Sequence, residues 1–164
     1  YLKGVTIVSI ARVQAYLDHF DPQLKAMEFK EDTSTSELAA EALGVEVGQI
    51  AKSLVYKSRR GFLLIVSAGD VRMDSKLIRK LAGGRVRMAT PEETLEATGY
   101  PVGGVCPFDL STPVSVYLDE SLKRFDVVYT AAGTANSALP INYMKLMEIT
   151  GGSPCSVSVK GEKE

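Results

Sequence analysis

Apolar residues recur at Ile10, Val13, Leu17 and Phe20, the spacing of one helical face, and Asp21-Pro22 ends the run. This predicts an amphipathic helix over residues 9–20. A second helix is expected over 35–43, with Ser34 as cap, Glu37 reciprocating in a capping box and Gly44 as the left-handed stop. The apolar pattern then changes character. Residues 50–56 and 62–67 are rich in large apolar side chains, and 58–61 reads as the turn joining them into a β-hairpin. Asp74 is placed to cap a helix ending at Gly83-Gly84, and 86–89 can follow as a strand. Thr90-Pro91-Glu92-Glu93 combines a cap, a proline at the first helical position and acid in the first turn, and Gly99 closes that helix.

Two further strands are expected over 114–118 and 127–131, separated by the charged stretch 119–126. A last helix is expected over 140–149, stopping at Gly151-Gly152. Val157 and Val159 alternate as in a short edge strand, before a charged end at 160–164 that is expected to fray. Helices and strands interleave, but the hairpin excludes a purely parallel, doubly wound sheet. The pattern therefore predicts one α/β domain over 1–164 with a mixed, mostly antiparallel sheet. No repeat of 20–50 residues interrupts it.

Composition narrows the functional classes. A chain of 164 residues with 45% hydrophobic and 24% charged residues matches an ordinary globular domain. The longest apolar stretches fall far short of the roughly 20 residues that span a bilayer, so no membrane partner is expected. The early mixing of Arg12, Gln14, Asp18 and His19 does not follow the plan of a signal peptide. Cys106 and Cys155 are too few for a disulfide scaffold and too far apart for a metal knuckle, so a reducing cytoplasm, no metal and no cofactor are expected. A net charge of −1 argues against a protein that coats duplex nucleic acid. Local basic clusters remain, one at Lys57, Arg59 and Arg60, another at Lys76, Arg79, Lys80, Arg85 and Arg87.

Candidate chemistry is sparse. GxGxxG, P-loop, HExxH and GxSxG signatures are missing, and His19 is the only histidine, so a Ser-His or Cys-His pair must use it or not exist. Two features stand out instead. Gly103-Gly104-Val105-Cys106-Pro107 places adjacent glycines where a backbone can approach a ligand, and bare amides there can hold an anionic oxygen. Lys52 interrupts an apolar strand on the side that also carries Leu54 and Tyr56, where a lysine needs a partner or a route to solvent.

Glu41-Ala42-Leu43-Gly44, then Gly48-Gln49-Ile50-Ala51-Lys52-Ser53-Leu54, Gly69-Asp70, Lys76-Leu77, Thr98-Gly99-Tyr100 and Gly103-Gly104-Val105-Cys106-Pro107-Phe108 occur in an order and spacing that resembles the YbaK family. That family includes free-standing relatives of the editing domain inserted in bacterial prolyl-tRNA synthetases. The likeness extends over about residues 31–151.

The resemblance implies a barrel-like sheet flanked by helices. It also implies a trans-editing aminoacyl-tRNA deacylase that removes a small amino acid such as Cys or Ala from mischarged tRNA, typically tRNA(Pro). The family lysine falls on Lys52 and the family glycine-x-x-x-proline loop on Gly103 to Pro107. Ser53 follows the lysine as a substrate-side residue, and Gly133-Thr134, with Asn136 and Ser137 nearby, matches a later turn bordering the family pocket.

Elementary chemistry is consistent with these roles. An aminoacyl ester is already activated, so it needs a positioned water and a stabilised oxyanion more than a strong nucleophile. Lys52 would hold phosphate or ribose of the terminal adenosine, and a ribose hydroxyl of the tRNA would help activate water, as the family resemblance suggests. Cys106 is expected to shape the wall and not to attack. Either basic cluster can guide the acceptor stem of the tRNA, whose acceptor end the site grips; prolyl-tRNA synthetase is a candidate partner, and a monomer is expected. Competing readings are a non-catalytic module that binds aminoacyl-tRNA or a synthetase, and a small-molecule or nucleotide-binding domain with no tRNA role, resting on the glycine loop alone.

Overall fold

A computed structural model of the chain describes residues 2–160, with side chains from Ile10 onward. Five α-helices and ten strands alternate within that span. Helix α1 (Leu2–Asp18) buries Val13 and Leu17 completely, as its apolar stripe requires. Phe20 lies past the helix end and is 43% exposed, its ring 5.2 Å from that of Tyr16. The expected helix therefore starts earlier and ends sooner than the stripe suggested.

Strand β1 (Met27–Glu28) precedes α2 (Ser36–Leu43), and a single 3-10 turn leads into β2 (Ile50–Ser58). Thr35, not Ser34, caps α2: its hydroxyl accepts from the amide of Leu38, while Gly44 closes the helix at φ 71°. Ser34 and Thr35 are chemically equivalent caps, and the one with extended backbone at the helix boundary takes the role.

β2 and β3 (Gly61–Ala68) form the expected hairpin, in register from Ala51 opposite Ala68 to Ser58 opposite Gly61. The next elements are β4 (Val71–Met73), α3 (Ser75–Ala82), β5 (Val86–Met88) and α4 (Pro91–Thr98). Asp74 caps α3 by accepting from Lys76 and Leu77 amides, and Thr90 with Glu93 builds a full capping box on α4. The chain ends with β6 (Ser115–Asp119), β7 (Val128–Thr130), β8 (Ser137–Ile141), α5 (Tyr143–Thr150), β9 (Ser153–Cys155) and β10 (Ser158–Lys160).

The last helix starts at Tyr143 and not at Pro140, because 137–141 is a strand. Pro140 argued against one. It is tolerated because β1 pairs only Ser137 and Ala138, leaving that edge of β8 open at Pro140 while Tyr129 faces it from β7. The C-terminal alternation becomes two short strands, and residues 161–164 lie outside the described part.

Eight strands run in the order β1-β8-β7-β2-β3-β6-β9, with β5 also on β2, and β4–β10 forms a separate antiparallel ribbon. The β2–β7, β3–β6 and β6–β9 ladders are parallel and the others antiparallel, giving the mixed, mostly antiparallel sheet expected. Both faces are covered. Ala51, Val55, Leu64 and Val66 meet α1, α5 and the buried rings of Tyr100 and Phe108. Tyr56, Leu63 and Ile65 meet Ile78 and Ala82 of α3 and Val157 of the C-terminal ribbon. Burial on both faces explains the unbroken apolar run of β3. Asp119 ties down the C-terminus by accepting from the Val157 amide and the Ser158 hydroxyl. Burial pushes its carboxyl up, but these bonds and those from Ser121 outweigh that and hold it below the usual range.

Candidate active site

The site opens where the sheet is incomplete. β7 pairs with β2 only at Ile50 and Ala51, and β5 only from Tyr56 onward, with the Ala89 amide reaching the Val55 carbonyl. Backbone groups two residues apart on a strand point to the same edge. The N–H and C=O of Ser53 therefore face the gap, and neither has a backbone partner among the described residues. A cavity of about 430 Å³ fills this gap, walled by β2, the start of α2, the 102–105 loop and the ends of β7 and β8.

Lys52 lines the cavity and is the only charged wall residue among those described. As alternation predicted, it shares a sheet face with Leu54 and Tyr56. Its ammonium donates to the carbonyl of Val71 at 2.8 Å, which leaves further donors for a ligand. Burial lowers its pKa, offset in part by the negative charges of Glu37 and Asp70. Asp70 is held below the usual carboxylate range mainly by Arg124, which grips both its oxygens at 2.6 and 3.1 Å.

The glycines of the resemblance explain how this rim closes. A Cβ on Gly69 would lie 2.5 Å from the Val47 carbonyl and 2.9 Å from Ser36, so the β3 end can pack against α2 only without one. Ser67, opposite Lys52 in the hairpin, is fully buried, and neither its hydroxyl nor the buried hydroxyl of Ser53 on the other face has a partner among the described residues.

The glycine loop meets the same cavity from the other side. Gly103 and Val105 line it, whereas Gly104, Cys106 and Pro107 are buried behind it. Gly103 has φ 96°, a left-handed conformation that suits glycine. The Gly104 amide is spent on the Pro101 carbonyl at 2.9 Å and Pro107 has no amide, whereas the amides of Gly103 and Val105, the two loop residues that line the cavity, have no backbone partner among the described residues. Arg12 of α1 anchors the loop's far end, donating to the Asp109 carboxylate at 2.8 Å and lying over the Tyr100 ring.

The Gly133 turn abuts the loop: its amide donates to the Gly104 carbonyl at 2.9 Å. Of the four residues expected there, only Ser137 lines the cavity. Its hydroxyl accepts from the Ala132 amide and donates to the Thr134 carbonyl, and the Thr134 hydroxyl donates to Asn136. Asn136 in turn holds the Phe29 carbonyl. Thr134 and Asn136 thus brace the turn and the 29–33 segment. His19 is exposed near the end of α1 and is not among the residues that line the cavity.

Cys106 is completely buried, and burial pushes its thiol up to about 12. Such a thiol is protonated at neutral pH and a poor nucleophile. Among the described residues, no group of three or more His, Cys, Asp or Glu side chains is gathered as metal ligands would be.

This is a small α/β domain whose cavity offers one ammonium and the unpaired main chain of Ser53. Its equipment suits binding an oxygen-rich ligand. Residues 30–149 match the family described as the aminoacyl-tRNA editing domain, and the chain belongs to that family. YwhH of Bacillus subtilis, a protein without an assigned function, is 40% identical over 144 residues, 87% of this chain and 92% of that one. EbsC of Enterococcus faecalis, provisionally assigned as a Cys-tRNA(Pro)/Cys-tRNA(Cys) deacylase, is 28% identical across 83% of this chain and 85% of its own. Proline–tRNA ligase of Thermotoga maritima is 33% identical over 132 residues, but this chain spans only 23% of that enzyme. A crystal structure described provisionally as a trans-editing enzyme for prolyl tRNA synthetase superposes with TM-score 0.87 at 38% identity, covering 92% of this chain and 97% of that one. Among the described residues no helix is long and apolar enough to cross a membrane.

Proposed function

We propose that the chain hydrolyses the ester of a mischarged aminoacyl-tRNA, releasing a small uncharged amino acid, with tRNA(Pro) the expected carrier. The observation that carries this is the gap in the β2 edge, where Lys52, the bare Ser53 main chain, Gly103 and Val105 line one cavity. Lys52 holds the terminal ribose or phosphate as a compact cation. The free amides receive the carbonyl oxygen as it becomes an oxyanion. Water adds to the carbonyl carbon, the ester C–O bond breaks, and the ribose oxygen leaves with a proton.

No histidine or carboxylate is among the residues lining the cavity, so the base is assigned to the neighbouring ribose hydroxyl of the substrate itself. Ala39, Leu43, Ile50 and Ala138 make an apolar wall. A charged side chain other than an acid would find no partner there.

A panel of tRNA(Pro) charged with Cys, Ala, Ser, Asp or Pro tests this. Labelled Cys or Ala should be released fastest. Pocket size discriminates weakly, roughly 10–200-fold for one methylene, so neighbouring small residues should follow within that range. Preferred release of Asp, or no release above the buffer rate for any member, would remove the reading.

Cys106 has no part in the chemistry on this account. Cys106→Ala should keep deacylation within about threefold, a change of roughly 0.7 kcal/mol. In the native protein Cys106 should also resist alkylation at neutral pH until the fold is opened. Complete loss of turnover in a folded Cys106→Ala protein, or rapid native-state alkylation that abolishes activity, would make it a nucleophile instead.

A further inference from the structure

A second cavity, of about 390 Å³, lies beside the first and shares two of its wall residues, Leu54 and Met88. Its floor is apolar, built from Tyr56, Met73, Ile78 and Val86, and its rim carries Arg72, Arg79 and Arg87. All three arginines are exposed, on β4, α3 and β5 respectively. Arg87 is fixed by Glu93, which takes two of its nitrogens at 2.8 and 3.0 Å. Arg72 and Arg79 make no ion pair among the described residues. Met88, the shared lip, is 55% exposed, a large apolar side chain left uncovered between the two cavities.

Cations around an apolar floor match a chain of phosphates carrying flat bases. Phosphates pair with guanidinium forks, and bases lie on apolar or aromatic surface. Duplex RNA does not fit this chemistry, since its base faces are stacked inside and only phosphates, 2′-hydroxyls and base edges are presented outward. From the groove and its continuity with the first cavity across Leu54 and Met88, we infer that it binds the unpaired 3′ end of the RNA, the nucleotides just before the esterified adenosine. This rests on the proposed function for the direction of the strand. The groove explains how a chain of net charge −1 holds RNA: it grips a few phosphates of a single strand and ignores the rest of the molecule. The second basic cluster thus divides, with Arg79 and Arg87 on the groove, while Lys76, Lys80 and Arg85 are not among its lining residues.

The test reads binding apart from hydrolysis. A short single-stranded RNA ending in CCA, uncharged and labelled at its 5′ end, is titrated against the wild-type chain and the double variant Arg72→Glu/Arg79→Glu by fluorescence anisotropy across a salt series. Exposed residues without ion pairs can be exchanged with little effect on the fold, and a matching thermal unfolding curve checks this. The variant should bind at least about tenfold more weakly, and its slope of log affinity against log salt should be shallower by about 0.7 for each phosphate that is no longer neutralised. A blunt hairpin with the acceptor-stem duplex but no unpaired end should bind wild type weakly and lose little in the variant.

Equal binding of the single strand by both proteins, no binding by wild type, or a loss confined to the blunt hairpin would each overturn the inference. Hydrolysis then separates the two claims. If the single strand binds through these arginines but no charged tRNA is cleaved, the groove stands and the deacylase reading falls. If cleavage of charged tRNA and of a minimal aminoacyl-adenosine ester respond equally to the double variant, the groove falls and the deacylase reading stands.

Discussion

Lys52→Ala should lower kcat/KM for a mischarged tRNA by about 10²–10³-fold, the effect of removing one positioned donor from a water-poor site. It should do so in a protein that remains folded. Among the described residues Lys52 makes a single hydrogen bond, to Val71, and burial already disfavours its charge, so the truncation removes an interaction and a desolvation cost together. The midpoint of thermal unfolding should stay within about 3 °C of wild type, equivalent to roughly 1 kcal/mol for a chain of this size.

The role assigned to Lys52 requires its charged form. Because burial lowers its pKa, activity corrected for spontaneous ester hydrolysis should decline with rising pH before an ordinary exposed lysine would deprotonate. Lys52→Arg, which keeps its charge throughout, should lack that decline even if its overall rate is low. A folded Lys52→Ala protein with full activity would remove the residue from the mechanism.

The second large effect is expected at Gly104. A Cβ there would stand 2.7 Å from the Gly133 carbonyl carbon and from the Thr134 Cα and amide nitrogen. These are backbone atoms, so no rotamer change relieves the contact. The two turns must separate, breaking the bond from the Gly133 amide to the Gly104 carbonyl. Overpacking of this kind costs about 1–3 kcal/mol, which lowers the unfolding midpoint of Gly104→Ala by roughly 3–10 °C.

Separation of the turns also shifts Gly103 and Val105, whose amides are assigned to the oxyanion. A displacement of about 1 Å at such a position costs on the order of 10²-fold in rate. Calorimetry with deacylation kinetics reads both. Wild-type stability and rate together would mean that the loops are not held as described. Reduced stability with a wild-type rate would leave the contact structural and the loop out of the chemistry.

Local signals in the sequence foretold the elements they control. Asp74 and Thr90 each bring a capping group to a helix start, and the hairpin follows from apolar strands around a polar turn. β8 was hidden by Pro140, whose acceptability depends on β1 ending two residues earlier, a fact of tertiary pairing. β4 is short, and its alternation of Val71, Arg72 and Met73 covers too few residues to register as a period.

The site was legible in part. Lys52 stood out as a charge in an apolar strand, and the adjacent glycines of the loop as a place of close approach. The gap that exposes the Ser53 main chain was not, since it exists only because β7 stops short of β5 along one edge of β2. Nor was the division of labour inside the loop. That Gly104 serves packing while Gly103 and Val105 face the cavity follows from contacts with the Gly133 turn, more than twenty residues away in sequence. Arg72 lies outside both basic clusters, and it joins Arg79 on the second cavity only once β4 and α3 are folded against the same apolar floor.

Catalytic turnover is assigned to the cavity at the β2 gap. Its most direct measurement is release of labelled alanine or cysteine from tRNA(Pro) with the charged tRNA in large excess over protein. Product should accumulate well beyond one equivalent of protein, at a rate proportional to protein concentration and about 10²–10³-fold lower in Lys52→Ala. Binding of the charged tRNA with the ester decaying only at its buffer rate would contradict it, and would make the chain a carrier of aminoacyl-tRNA with no hydrolase activity.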